Sequence, residues 1–166
     1  MMIANRYQSF RAKAYVILRS FIFPFSSIEK YYPKQGIIYD MGCGYGSYSL
    51  YLAISSKKLA ICDCISLIDI IHHIPYKTQQ ELIKECFKKL KRGGVLLLKD
   101  LADKPRWKYF YNYFHDRFIM GNKELYFRTT KEIYGMCSSA GFKVEIKDVK
   151  TWVLNPFSHI LFICNK

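Results

Sequence analysis

Apolar positions along this chain follow two rhythms. In the segment Tyr7 to Ile28, Phe10, Ala14, Ile17 and Phe21 recur at helical spacing with Arg11, Lys13 and Arg19 between them. Pro24 and the Ser26-Ser27 pair are expected to break that helix. It reads as a cover packed on the domain, a lid over a substrate pocket, or a helix lying on a membrane surface. From Gly36 onward the rhythm changes to short apolar runs separated by turns. Ile37 to Asp40 predicts a strand, Met41 to Gly46 a glycine turn, and Leu50, Tyr51, Ala53 and Ile54 a helix capped by Ser47. Cys64 to Asp69 predicts the next strand, and Ile70 to Pro75 leads into a helix from about Thr78 to Lys91. Leu82, Cys86 and Leu90 repeat every fourth residue on it, and Arg92-Gly93-Gly94 is its expected stop. Val95 to Leu98 predicts a third strand, closed by Lys99-Asp100. Pro105 to Met120 reads as an aromatic helix, and Thr130 to Ala140 as a helix capped by Thr129 or Thr130 and stopped by Gly141. Phe142 to Val149 and His159 to Cys164 predict a closing antiparallel strand pair.

Strands alternating with helices predict an α/β fold: a Rossmann-like, mainly parallel sheet with helices on both faces. With 166 residues, 51% of them hydrophobic, there is material for one such domain. Residues 1–35 are expected to form its helical lid or cover and 36–166 its core. The longest apolar stretch, Ala14 to Phe25, is interrupted by Arg19 and Pro24 and falls short of the roughly 18 residues a membrane span needs. Met1 to Phe10 lacks the pattern of a secretory signal, and a cytoplasmic location is expected. The six cysteines show no Cys-x-x-Cys pair and no zinc-like spacing, so they are expected to be buried thiols with no metal role; Cys62 and Cys64, two apart, are expected on one strand face. A net charge of +13 fits nucleic acid, anionic lipid or an acidic substrate as partner, and fits equally a Lys-rich composition without a polyanionic partner.

Candidate chemistry collects at one rim. In open parallel sheets, ligands bind beyond the carboxyl ends of the strands. Three predicted strands end in Asp40, Asp69 and Asp100. Beside Asp40, Gly42, Gly44 and Gly46 let the backbone bend and approach a ligand, and the following helix aims its amides there. Aspartate is also a common turn former, and for Asp69 and Asp100 both readings stand.

The run Ile38-Tyr39-Asp40-Met41-Gly42-Cys43-Gly44-Tyr45-Gly46 resembles the first motif of class I S-adenosylmethionine-dependent methyltransferases. Asp63 to Pro75 is similar to the fourth strand and following loop of their small-molecule members, and Leu90 to Leu97 to their passage into the fifth strand. The resemblance covers about Gly36 to Cys164. It implies S-adenosylmethionine as cofactor, with Asp40, Gly42, Cys43, Gly44 and Gly46 on its methionine and ribose side and Asp69 near the reactive methyl. It implies in-line attack of an acceptor O, N or C on that methyl. His72 or His73 is a candidate base where the acceptor must lose a proton; both fit equally as residues that shape the loop.

The family places two further strand-helix units between its first helix and its fourth strand. Here Leu59 to Asp69 runs on without a gap. Its first half, ending at Asp63, reads as the acidic end of the second strand, where the resemblance implies a cofactor-binding acid that holds the ribose hydroxyls, and its second half as the fourth strand, yet parallel neighbours need a crossover of a dozen or more residues. An internal segment is therefore expected to be missing, with weaker cofactor binding and a sheet edge open to homo-oligomerisation as consequences. The expected acceptor is a small molecule or a lipid-type compound, with peripheral membrane contact as a further expectation. An RNA or DNA acceptor is the alternative, against which stands Asp69-Ile70-Ile71-His72 in place of an Asn/Asp-Pro-Pro-aromatic signature. A non-catalytic basic scaffold is the other alternative.

Overall fold

A computed structural model describes residues 25–41, 62–119, 124–149 and 156–166. The elements run α1 (Phe25–Glu29), β1 (Ile38–Met41), β2 (Cys62–Ile68), a 3-10 turn (Ile71–His73), α2 (Tyr76–Lys89), β3 (Leu90–Leu101), α3 (Arg106–Phe114) with a π turn (His115–Ile119), α4 (Thr130–Ser139), β4 (Lys143–Asp148) and β5 (His159–Asn165). The expected first helix up to Pro24, the turn Gly42 to Gly46 and the helix through Ile54 lie outside the described residues. Ser26 and Ser27, expected to break a helix, instead stand inside the first turn of α1, where serine is well tolerated.

The strands form one sheet in the order β1-β2-β3-β5-β4. β1, β2 and β3 are parallel, and β5 runs antiparallel between β3 and β4. This is the mainly parallel sheet with a closing antiparallel pair that the alternation of elements implies. Cys62 to Ile68 is one strand, paired with β1 on one side and β3 on the other. It therefore takes the fourth-strand place of the resemblance, and β1 stands at one end of the described sheet.

Alternate residues of the central strands build two cores. Leu96, Leu98, Phe162 and Cys164 pack with Ile83 and Cys86 of α2 and with Ile133 and Cys137 of α4. Leu97, Leu161 and Ile163 turn to the other face, against Ile28 of α1 and Tyr32. Each fully buried Leu, Ile or Phe contributes about 1.5–3 kcal/mol relative to exposure. The expectation that Cys62 and Cys64 share a face is corrected: the pairing of β2 with β3 shifts register between them, which sends Cys62 to the first core and Cys64 to the second. The five described cysteines are buried free thiols, and burial raises the Cys86 pKa to about 12.

Three boundaries moved. α2 begins at Tyr76 and ends at Lys89, because Leu90 already pairs with Cys62. Arg92-Gly93-Gly94 thus lies in β3 rather than ending a helix, and a side chain at Gly94 would meet the Lys91 and Asp63 carbonyls at 3.0 and 3.1 Å. β3 continues to Leu101 because Lys99, Asp100 and Leu101 pair with Leu161, Ile160 and His159. α4 follows its sequence signals: Thr129 and Glu132 form a reciprocal cap, and Gly141 follows with φ of +106°. Among the described residues no helix is long and apolar enough to cross a membrane, and no cluster of His, Cys, Asp and Glu is placed to hold a metal ion.

Candidate functional site

The carboxyl ends of β1, β2 and β3 bring Asp40, Asp69 and Asp100 to the same side of the sheet, Asp69 and Asp100 just past the paired Ile68 and Lys99, and Asp40 three residues, about 10 Å, earlier along the strand direction. Asp40 lies opposite Ser66 in the parallel ladder, and the Ser66 hydroxyl donates to Asp40 Oδ1 at 2.8 Å. Asp69 follows β2 directly in the left-handed region, φ +55°, which aspartate enters more readily than most residues. Its N–H donates to the Lys99 carbonyl at 2.9 Å, and its carboxylate forms an ion pair with the Lys99 ammonium. Lys99 is completely buried. A lysine survives there because a carboxylate meets its charge; unpaired burial would cost several kcal/mol.

The next residue of β3 holds the same loop from the opposite face. Asp100 Oδ1 lies 2.5 Å from His72 Nδ1, and Asp100 Oδ2 accepts from the His72 backbone N–H at 3.3 Å. On the far side of the ring, Nε2 is 3.5 Å from Asp116 Oδ2. The imidazole stacks on Phe127 with ring centroids 5.0 Å apart. Burial alone depresses its pKa, but the Asp100 charge and hydrogen bond, with Asp69 and Asp116, outweigh that and leave the pKa raised. The imidazolium so favoured has no lone pair for a substrate proton.

Gln79 of α2 completes the clamp. Its amide nitrogen is 3.1, 2.8 and 3.0 Å from the carbonyls of Ile71, Ile74 and Tyr126, and its carbonyl accepts from Arg128 Nε at 2.9 Å. The Tyr126 N–H donates to the His72 carbonyl at 2.8 Å. The loop after β2 is thus tied to β3, α2 and the segment before α4.

The two candidate histidines therefore differ. His72 is 3% exposed and committed to the clamp, whereas His73 is exposed. Partial burial and the neighbouring His72, 4.1 Å away between ring centroids, lower the His73 pKa, so its ring is neutral at pH 7 and keeps a proton acceptor. Asp63 stands apart from the other candidate residues. It is the second residue of β2, six residues before Asp69 and so about 20 Å along the strand from the rim. There its carboxylate accepts from the Ile37 N–H at 2.8 Å and from Lys91 at 2.9 Å, which hold its pKa below the usual range. Gly42, Cys43, Gly44 and Gly46 lie outside the described residues. Sequence reading missed Lys99, Gln79 and Asp116 as parts of the clamp; the available signal was the charged pair Lys99-Asp100 closing an apolar strand.

No protein-family model and no curated protein matches the sequence. Solved structures do match in shape. A SAM-dependent methyltransferase from Thermotoga maritima superposes with a TM-score of 0.71 at 14% identity, covering 94% of this chain and 95% of its own. The 1,6-didemethyltoxoflavin-N1-methyltransferase of Burkholderia thailandensis, solved with 1,6-didemethyltoxoflavin and S-adenosylhomocysteine bound, gives 0.68 at 11% identity over 99% and 87% of the two chains. Human N-acetylserotonin methyltransferase, solved with SAM, gives 0.65 at 18% identity over 93% of this chain and 54% of its own. At these identities the likeness is one of architecture: the chain has the Rossmann-like fold shared by SAM-dependent methyltransferases.

Proposed function

We propose that this protein transfers the methyl group of S-adenosylmethionine to a small-molecule or lipid-type acceptor. The observation that carries the reading is the strand-end rim that bears Asp69 and the clamped His72–His73 loop, with Asp40 toward the same end of the neighbouring strand, in a fold shared with enzymes of that chemistry. The cofactor is cationic at its sulfur and its amino group, and the Asp40 carboxylate complements that charge. Asp40 would hold it together with Gly42, Cys43, Gly44 and Gly46, and Asp69 would border its methyl side. When bound, it supplies a methyl group activated by the positive sulfur. The protein's own contribution is largely positioning: the Lys99–Asp69 and Asp100–His72 pairs fix the loop on which His73 stands. Where the acceptor must lose a proton, neutral His73 receives it.

The acceptor class draws on the fold relatives, two of which are named for 1,6-didemethyltoxoflavin and N-acetylserotonin. Only 20 residues, 42–61, separate β1 from β2, enough for one crossover between neighbouring parallel strands and too few for further strand-helix units. Weaker cofactor binding than in the longer fold is the expected consequence.

Calorimetric titration with S-adenosylmethionine and S-adenosylhomocysteine tests the reading, with Gly44→Val as control. Micromolar binding abolished by that change supports it. Absence of binding by a protein that unfolds cooperatively overturns it.

A further inference from the structure

We propose that α3 and its π turn form a docking surface for an anionic lipid bilayer. The inference extends the lipid-type arm of the proposed function, while docking itself stands without methyl transfer. Trp107, Phe110, Phe114 and Phe118 are 61%, 60%, 55% and 67% exposed. At 3.6 residues per turn, positions 107, 110, 114 and 118 fall within about 80° of one another, one stripe along the helix. The rings of Phe114 and Phe118 touch, with centroids 4.9 Å apart. The opposite face is the one that packs: Asn112 is buried, Tyr109 lies against Phe127, and Asp116 faces His72. The exposed aromatics are thus surplus to the core.

Charge selects the occupant. Lys104, Arg106, Lys108 and Arg117 flank the stripe in sequence, and the Lys108 ammonium lies 5.4 Å from the Trp107 ring centroid. The two nearby acids are engaged inward: Asp103 accepts from the Thr130 hydroxyl and backbone, and Asp116 lies against His72 and His115. A helix with Trp and Phe on one face and basic residues beside them suits the boundary between headgroups and acyl chains of an anionic leaflet. A second copy of the chain would bring +13 against +13, whereas an anionic surface attracts that charge.

The test uses Trp152→Phe, which leaves Trp107 as the sole tryptophan, mixed with phosphatidylcholine vesicles with or without phosphatidylglycerol. The expected result is a blue shift of Trp107 emission and co-sedimentation only with phosphatidylglycerol present. Binding should weaken at least about tenfold on Lys104→Glu with Arg106→Glu, and likewise on Phe110→Ser with Phe114→Ser. These exposed positions should leave thermal unfolding unchanged, and added salt should reduce binding. Protein remaining in the supernatant, equal binding to both vesicles, or a blue shift that grows with protein concentration without vesicles overturns the proposal; the last outcome identifies self-association instead. Cofactor calorimetry on the same variant reads the methyltransferase reading separately.

Discussion

His72 Nδ1 and Asp100 Oδ1 lie 2.5 Å apart, joining the loop after β2 to the end of β3 across the rim that the two strands share. The pair is buried on both sides, with side chains 4% and 3% exposed, so its loss removes a charge from an imidazole that water does not reach. Lys99, the chain neighbour of Asp100, forms a second pair with Asp69 at the start of the same loop.

Replacing Asp100 by Asn keeps the shape and removes the charge. We expect a loss of about 3 kcal/mol at pH 6, the usual scale for breaking a buried ion pair. The folded pKa of His72 is raised above its ordinary 6.5. Its contribution is therefore complete below pH 6.5 and fades as the pH rises through the raised value. Urea unfolding across that window should show this decline in the wild type and a flatter profile in Asp100→Asn. An unchanged slope would show that His72 is not the charged partner.

Asp69→Asn should also destabilise by about 3 kcal/mol, because Lys99 stays buried without its carboxylate. Adding Lys99→Met, which keeps the apolar stem and drops the charge, should restore most of that loss. A double-mutant cycle from urea midpoints measures the coupling. Additive single effects would mean that the two side chains do not depend on each other.

Asp63 ties the start of β1 to β2 and β3. Asp63→Ala should cost about 1 kcal/mol through the lost hydrogen bonds, while cofactor titration stays at its wild-type value. A drop in affinity with stability intact would return Asp63 to the cofactor site.

His73→Asn tests the proton acceptor. Conversion of S-adenosylmethionine to S-adenosylhomocysteine, assayed over a panel of phenolic and amine acceptors, should fall by about 10²-fold or more in kcat with KM little changed. Because the His73 pKa is lowered, the acid limb of wild-type activity should have its midpoint below the ordinary histidine value of 6.5. A profile identical in His73→Asn would remove His73 from the chemistry.

What the sequence determined by itself are the local and periodic features. The capping box of α4 rests on Thr129 and Glu132, three residues apart, and the parallel strands are contiguous apolar runs because both their faces are covered. Asp40, Asp69 and Asp100 come to one side of the sheet because parallel strands end on the same side. Tertiary structure decided what depends on pairing between distant segments. Asp63 and Asp69 belong to one apolar run, and only the register against β1 and β3 assigns one to each end of the strand. His72 and His73 are identical in type and adjacent, yet Asp100 and Asp116, 28 and 44 positions away, hold one ring as a charged clamp and leave the other exposed and neutral. The charge state of a side chain follows from burial and from the charges brought beside it, and those are properties of the fold rather than of the residue.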